Sequence, residues 1–326
     1  MRLGRFSLCA IVAVTGCASS SPIGKHRAVS RPAIAASPAT TKPTPTTTVP
    51  VATIPPATSA APVKPTAPVT TTPYATTTGS IRPASDPVGL AAEIADVESR
   101  IHDPRTPPDL LAVDALRQQL AFDRVATHPD WLPVVLARLP LQWRATVQAN
   151  SEAAVDLRAL SNPVAELPDW QVTPPVSSPA TLLGYYKEAE AATGVPWQIL
   201  AAVHLVESKM SRLRSNSTAG AQGPMQFLPA TWASYGHGDI DNDHDAILGA
   251  ADYLRAMGAP GDVAGALYHY NPSQHYVQAV LTYADQMQTD PSAFTAYYHW
   301  QVVFLLGSSE VVLPEGYPHV AAIPAG

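Results

Sequence analysis

Glu207 sits in the setting that most suggests chemistry. It lies at the end of the run Ile199-Leu200-Ala201-Ala202-Val203-His204-Leu205-Val206-Glu207-Ser208. That run is apolar nearly all round, so it reads as a buried helix. A carboxylate there must be paired or keep its proton, because burial disfavours the charged form. A carboxyl that holds a proton near neutral pH is what a general acid needs. The structural alternative is a salt bridge to Lys209, Arg212 or Arg214. A polar segment with small residues follows, Ser217 to Trp232, containing Gly223-Pro224-Met225-Gln226-Phe227-Leu228-Pro229. Glycine lets a ligand or another backbone come close. Gln226 supplies both a donor and an acceptor, and Met225, Phe227 and Trp232 supply apolar surface for a sugar face. Farther on comes Tyr268-His269-Tyr270-Asn271.

Three other features must be weighed. His204 lies one turn before Glu207 and reads as a satisfied core histidine. Tyr268 reads equally as core packing or as part of the site. The cluster Asp239-Ile240-Asp241-Asn242-Asp243-His244-Asp245 has the alternating carboxylates of a calcium loop but no Gly at the sixth place in either register. It reads instead as a polar turn, with Asp245 capping a helix over Ala246–Met257. It also leaves open a water-holding carboxylate opposite Glu207. No metal is expected, and no nucleotide or haem pattern occurs, so no cofactor is expected.

Three segments in order resemble the soluble lytic transglycosylase and goose-type lysozyme-like family, over roughly Leu182 to Asp285. They are Glu207-Ser208, Gly223-Pro224-Met225-Gln226-Phe227 and Tyr270-Asn271. Pro224 departs from the family pattern and removes one backbone donor from the loop. The resemblance implies a lyase acting on the β-1,4 bond between N-acetylmuramic acid and N-acetylglucosamine in peptidoglycan. It implies that Glu207 alone serves as acid and then base, giving a 1,6-anhydro product. It also implies that Ser208, Gly223, Met225, Gln226, Phe227, Tyr270 and Asn271 line the substrate site, with Tyr270 hydrogen-bonded to Glu207. No Asp or Glu occurs between Ser208 and Gly238, which agrees with a single carboxylate. A lysozyme-like hydrolase and a non-catalytic peptidoglycan-binding lipoprotein are the alternatives.

The elements that must position these residues are mainly helical. Leu90, Ile94, Val97 and Ile101 recur at helical spacing, and Leu110, Leu111, Leu116, Leu120 and Val125 continue it. Trp131 to Leu160 is a third helical stretch, interrupted near Pro140. A Pro-rich joint, Pro168 to Pro179, follows. Thr181 to Thr193 is a helix stopped by Gly194, before the helix of Glu207. Near the end, Trp300 to Pro314 reads as a β-hairpin that must pack on the helical body, since a lone hairpin is marginal. The fold expectation is a lysozyme-like helical domain (179–290), with a helical subdomain before it (88–178). A C-terminal helix and hairpin (291–326) follow.

Ahead of these elements lies an address. Arg2 and Arg5 precede the apolar stretch Phe6–Val14, which ends in Val14-Thr15-Gly16-Cys17. This resembles a bacterial lipobox, most like actinobacterial lipoproteins. Residues 1–16 would then be a signal peptide and Cys17 the lipid attachment. Residues 17–87 read as a disordered Pro/Thr-rich tether that, at about 3 Å per residue, reaches on the order of 100 Å. The expected place is the outer side of the cell membrane, facing the wall. The expected partners are peptidoglycan glycan strands and, through the lipid, the membrane.

Composition narrows the rest. The 326 residues include 34 prolines and only two cysteines, Cys9 and Cys17, which excludes a disulfide scaffold. A net charge of −6 argues against nucleic acid as a partner. No stretch reaches the roughly 18 apolar residues a spanning helix needs. Oligomeric state is not legible from the sequence.

Overall fold

The structure, a computed structural model, describes residues 81–325. The signal peptide, Cys17 and nearly all of the tether lie outside the described residues. Among the described residues are eleven α-helices and a three-stranded sheet. The helices are α1 (Pro87–Ile101), α2 (Pro108–Thr127), α3 (Leu132–Arg138), α4 (Leu141–Leu160), α5 (Pro179–Thr193), α6 (Trp197–Ser208), α7 (Pro229–Tyr235), α8 (Asp243–Ala256), α9 (Val263–Tyr270), α10 (Gln274–Thr289) and α11 (Pro291–His299). The mainly helical class holds.

Helix starts follow local chemistry. Asp86, Ser178 and Asp290 each cap a helix whose first residue is proline, which has no amide to satisfy there. Gly194 ends α5 with φ +79°, a conformation that favours glycine. The long stretch around Pro140 is indeed broken, into α3 and α4. The cap of α8 is Asn242, whose Oδ1 accepts from the amides of His244 and Asp245. Asp245 therefore does not cap that helix. Its carboxylate instead accepts from the Asp239 amide and closes the preceding turn.

The helix α6 is the centre of the body. Every residue from Ile199 to Ser208 is buried, as an all-round apolar helix must be. It packs against α5, α8 and α10, and α10 packs in turn against α4. One continuous core runs from Leu90 on α1 through Val147 on α4 and Leu200 on α6 to Trp300. The helices before and after residue 178 thus share their apolar interior.

The segment between α4 and α5 is stitched down. Val172 is fully buried and bridges Leu213, just past α6. The Thr173 amide donates to the Arg212 carbonyl, and the Arg214 amide to the Gln171 carbonyl. A Pro-rich composition correctly marks the absence of helix here, but the segment pairs rather than merely separates.

The hairpin is β1 (Val302–Leu306) and β2 (Ser309–Leu313), antiparallel with Val302 opposite Leu313 and Leu306 opposite Ser309. A short third strand, β3 (Ile323–Pro324), pairs with β2, which the sequence pattern does not announce. Side chains alternate across the sheet. Val302, Phe304, Val311 and Leu313 bury against Val172 and Leu213, whereas Val312 buries against Leu116 and Leu120 of α2.

Candidate active site

Glu207 occupies the penultimate position of α6 and is 0 % exposed. Its Oε1 accepts a hydrogen bond from the Tyr276 hydroxyl at 2.8 Å. Its Oε2 is buried without a hydrogen-bond partner. Burial raises the carboxyl well above the usual glutamate value, outweighing the Tyr276 hydroxyl and the Lys209 ammonium, which both favour the ionised form. The carbonyl end of α6 adds to the same preference, since a helix C-terminus is the negative pole. Burial thus favours the protonated form of Glu207. Of the three cations that could have paired with it, Arg212 pairs with Glu315 and Arg214 lies near Asp243, while Lys209 makes no ion pair and contacts the Leu205 carbonyl.

The turn after Glu207 is strained. Lys209, Met210 and Ser211 take φ of 53°, 56° and 69°, a left-handed run without a glycine. Such residues cost about 1–3 kcal/mol each and persist only where surroundings hold them. The holding groups are identifiable. The Ser208 hydroxyl donates to the Pro224 carbonyl at 2.6 Å and accepts from the Ser211 amide at 3.0 Å. Ser211 donates to Asp243 Oδ1 at 2.6 Å, and its hydroxyl lies 2.7 Å from His204 Nε2. His204 Nδ1 lies 2.7 Å from the Tyr186 hydroxyl. A proton on Nε2 donates to the Ser211 hydroxyl, which donates to Asp243, and Nδ1 accepts from the Tyr186 hydroxyl, so the whole chain is satisfied. Burial lowers His204 to about 4, so it is neutral. It is the satisfied core histidine its sequence context suggests.

The Ser208–Pro224 bond docks the second segment. The loop closes on itself through a Gln222–Phe227 bridge, with the Gln226 amide on the Gly223 carbonyl at 3.1 Å. Gly223 has φ +72°, and a Cβ there would lie 2.0 Å from the Ile240 carbonyl oxygen. Only glycine fits. This contact is where the Asp239–Asp245 turn touches the site. Gln226 is buried at φ 50°. Its Nε2 donates to the Gly223 carbonyl at 3.0 Å, while its Oε1 has no partner. Met225 and Phe227 are buried, and Phe227 packs against Trp232 and Tyr270.

The third segment ends α9. Asn271 is buried with an unpartnered Nδ2. The Tyr270 hydroxyl donates to the Met225 carbonyl at 2.6 Å, which corrects its expected bond to Glu207. Its reach ends at the loop. The hydroxyl that meets Glu207 comes from Tyr276, whose ring stacks on Tyr270 with centroids 6.4 Å apart. Sequence reasoning missed Tyr276, because with Val277, Val280 and Tyr283 it forms the ordinary apolar face of α10. Tyr268, at 43 % exposure, is a surface residue and not core.

Three buried, unsatisfied polar atoms therefore belong to the three segments: Glu207 Oε2, Gln226 Oε1 and Asn271 Nδ2. Native proteins rarely leave such groups without a reason. Phe227 and Tyr270, from the second and third segments, line a small pocket with Leu228, Thr231 and Tyr253. Among the described residues, no cluster of three or more His, Cys, Asp or Glu has metal-binding geometry.

Residues 184–291 match the family model described as Transglycosylase SLT domain. The chain is also 28 % identical, over 141 residues, to the membrane-bound lytic murein transglycosylase F of Thiobacillus denitrificans (strain ATCC 25259 / T1). That alignment covers 41 % of this chain and 30 % of the relative, so the chain spans under a third of the relative's length. No solved structure matches the chain.

Proposed function

We propose that this chain, which carries a transglycosylase SLT domain over residues 184–291, is a peptidoglycan lytic transglycosylase with Glu207 as its acid and base. The observation that carries the reading is the asymmetric carboxyl. One oxygen of Glu207 is fixed by Tyr276, and the other is buried, protonatable and unpartnered. A general acid needs such an oxygen free to meet the leaving group.

In this reading the protonated Oε2 donates to the glycosidic oxygen as the bond to the muramic acid C1 breaks. Oxocarbenium character develops at C1. The C6 hydroxyl of the same sugar attacks C1, and Glu207, now a carboxylate, takes its proton. The product is a 1,6-anhydro sugar, and the enzyme returns to its starting protonation state. One carboxyl serves both steps, in contrast to the usual pair of glycosidase carboxylates. Lys209 and Tyr276 keep the transient carboxylate from being too costly, since each favours the charged form. Gln226 and Asn271 supply the acceptor and donor for substrate amide or hydroxyl groups, and the pocket at Phe227 and Tyr270 supports an apolar sugar face. Ser208, Gly223 and Met225 shape the loop and hold it against α6.

The chain is read as a lipoprotein, cut before Cys17 and held to the outer membrane face by lipid, with residues 17–87 as the tether into the wall. The relative is named as membrane-bound. Among the described residues no helix is long and apolar enough to cross a membrane.

The test is mass spectrometry of purified peptidoglycan digested with the chain, beside a Glu207→Gln control. Anhydro-muropeptides absent from the control are the expected result. Products heavier by one water would instead mean a hydrolase. Intact glycan strands from a well-folded protein would leave a binding lipoprotein.

A further inference from the structure

A second cavity lies away from the three motif segments. It is an open cleft between α2, α4, the turn after α6, α10 and the sheet. Four charged side chains line it, Asp123, Arg158, Lys209 and Glu310, with Tyr283 and Trp300 among its apolar walls. Neither Glu207, Gln226, Tyr270 nor Asn271 contributes to that lining.

The four charges are not equivalent. Arg158 and Glu310 are bonded to each other across α4 and β2. Asp123 and Lys209 are not. Asp123 makes no hydrogen bond or ion pair among the described residues. The Lys209 ammonium has one long contact, 3.3 Å to the Leu205 carbonyl. The two feel each other's charge without joining. Burial pushes the Asp123 carboxyl up to about 8 and the Lys209 ammonium down to about 8, against the opposite charge each feels from the other. The lining as a whole carries no net charge when all four groups are ionised. A simple anion would meet the Glu310 carboxylate, and a metal ion would meet Lys209 and Arg158. A neutral molecule with separated charges meets neither.

We propose that this cleft binds a small zwitterion, an amino acid or short peptide whose ammonium sits on Asp123 and whose carboxylate sits on Lys209. Each protein group would then gain the charge-assisted partner it lacks. The apolar walls accommodate the intervening carbon chain. None of the motif residues lines the cleft, although Lys209 belongs both to it and to the electrostatics of Glu207.

Calorimetric titration of the purified full chain with the dipeptide Ala-Ala tests this, beside its N-acetylated and C-amidated forms and free alanine. The proposal expects saturable binding of Ala-Ala, weakened at least about tenfold by capping either end. Alanine against Ala-Ala separates an amino-acid site from a peptide site. Asp123→Asn and Lys209→Gln should each weaken binding by a similar factor, with an unchanged near-UV circular dichroism spectrum as proof of folding. The capped ligands make the test on the wild-type protein alone, should a variant misfold. No saturable binding at millimolar concentration, or equal binding of a capped form, would overturn it.

Discussion

Two fully buried glutamates in this molecule look alike and differ in what surrounds them. Glu98, on α1, accepts from Gln118 Nε2 at 2.9 Å through one oxygen and leaves the other without a hydrogen-bond partner. Glu207 accepts from Tyr276 at 2.8 Å and also leaves one oxygen bare. Burial raises both, Glu98 to about 7 and Glu207 well above its ordinary value. A raised carboxyl is thus no sufficient sign of a site. Around Glu98 are groups that complete a structural cluster. His102 lies 3.7 Å from its bare oxygen and 2.7 Å from Asp290, the cap of α11. The surroundings of Glu207 are left incomplete, with Gln226 and Asn271 carrying unsatisfied atoms of their own and a left-handed turn held under strain. On the proposed reading, unmet polar groups on separate chain segments set Glu207 apart more than its burial does.

The largest effect should break the likeness outright. Glu207→Gln is expected to lower the rate of peptidoglycan cleavage by about 10³-fold, in the range general acid–base groups supply. Glu98→Gln should stay within about twofold of wild type. Equal losses, measured as soluble fragments released from purified wall, would make the two acids functionally indistinguishable.

Stability should show what the two acids share, a carboxyl raised by burial. Glu98 keeps its proton in the folded state between its unfolded value of 4.5 and about 7. The folded state binds the extra proton there, so stability falls as pH rises through that window and levels off above it. At roughly 1.4 kcal/mol per unit, the fall is about 3 kcal/mol. Denaturant unfolding of Glu98→Gln from pH 4.5 to 7.5 should show that much less decline. The shift of His102, also upward, works in the same direction and remains.

A smaller effect sharpens the role of the Glu207 partner. Tyr276→Phe removes the one hydrogen bond on Oε1. Loss of aim should cost about 10- to 100-fold in kcat. The bond favours the ionised carboxyl, so its loss raises Glu207 further. The alkaline limb of the pH–rate profile should move to higher pH. A profile displaced to lower pH would contradict the assignment.

The smallest expected change is at the loop. Gly223→Ala places a methyl against the Ile240 carbonyl at a positive φ. It should cost about 1–3 kcal/mol in unfolding free energy and weaken cleavage by displacing Gln226. Unaltered stability and activity would mean the loop tolerates what its geometry forbids.

Much of this arrangement was legible in the residues. The apolar run that buries Glu207, the helical spacing of α1, the stop at Gly194 and the hairpin all follow from local pattern. So does the neutral His204. What the pattern does not carry is long-range pairing. Tyr276 has the periodicity of a core residue, and only tertiary packing sets its hydroxyl on Glu207. The Tyr270 hydroxyl is drawn to Met225 because the folded loop presents a carbonyl there. Asn242 takes the cap of α8 because its side chain reaches two amides, which leaves Asp245 to the preceding turn. The pairing of Val172 with Leu213 and the strand Ile323–Pro324 depend on neighbours more than ten residues away. Composition alone shows such segments only as irregular.

The account rests on Glu207 being a protonated acid at neutral pH. Carbon-13 NMR titration of the chain labelled at glutamate side-chain carboxyls measures that directly, with Glu207 assigned as the resonance lost in Glu207→Gln. The account predicts a carboxyl still protonated at pH 7, moving further up in Tyr276→Phe. A Glu207 resonance titrating near 4.5 and ionised at pH 7 would contradict it.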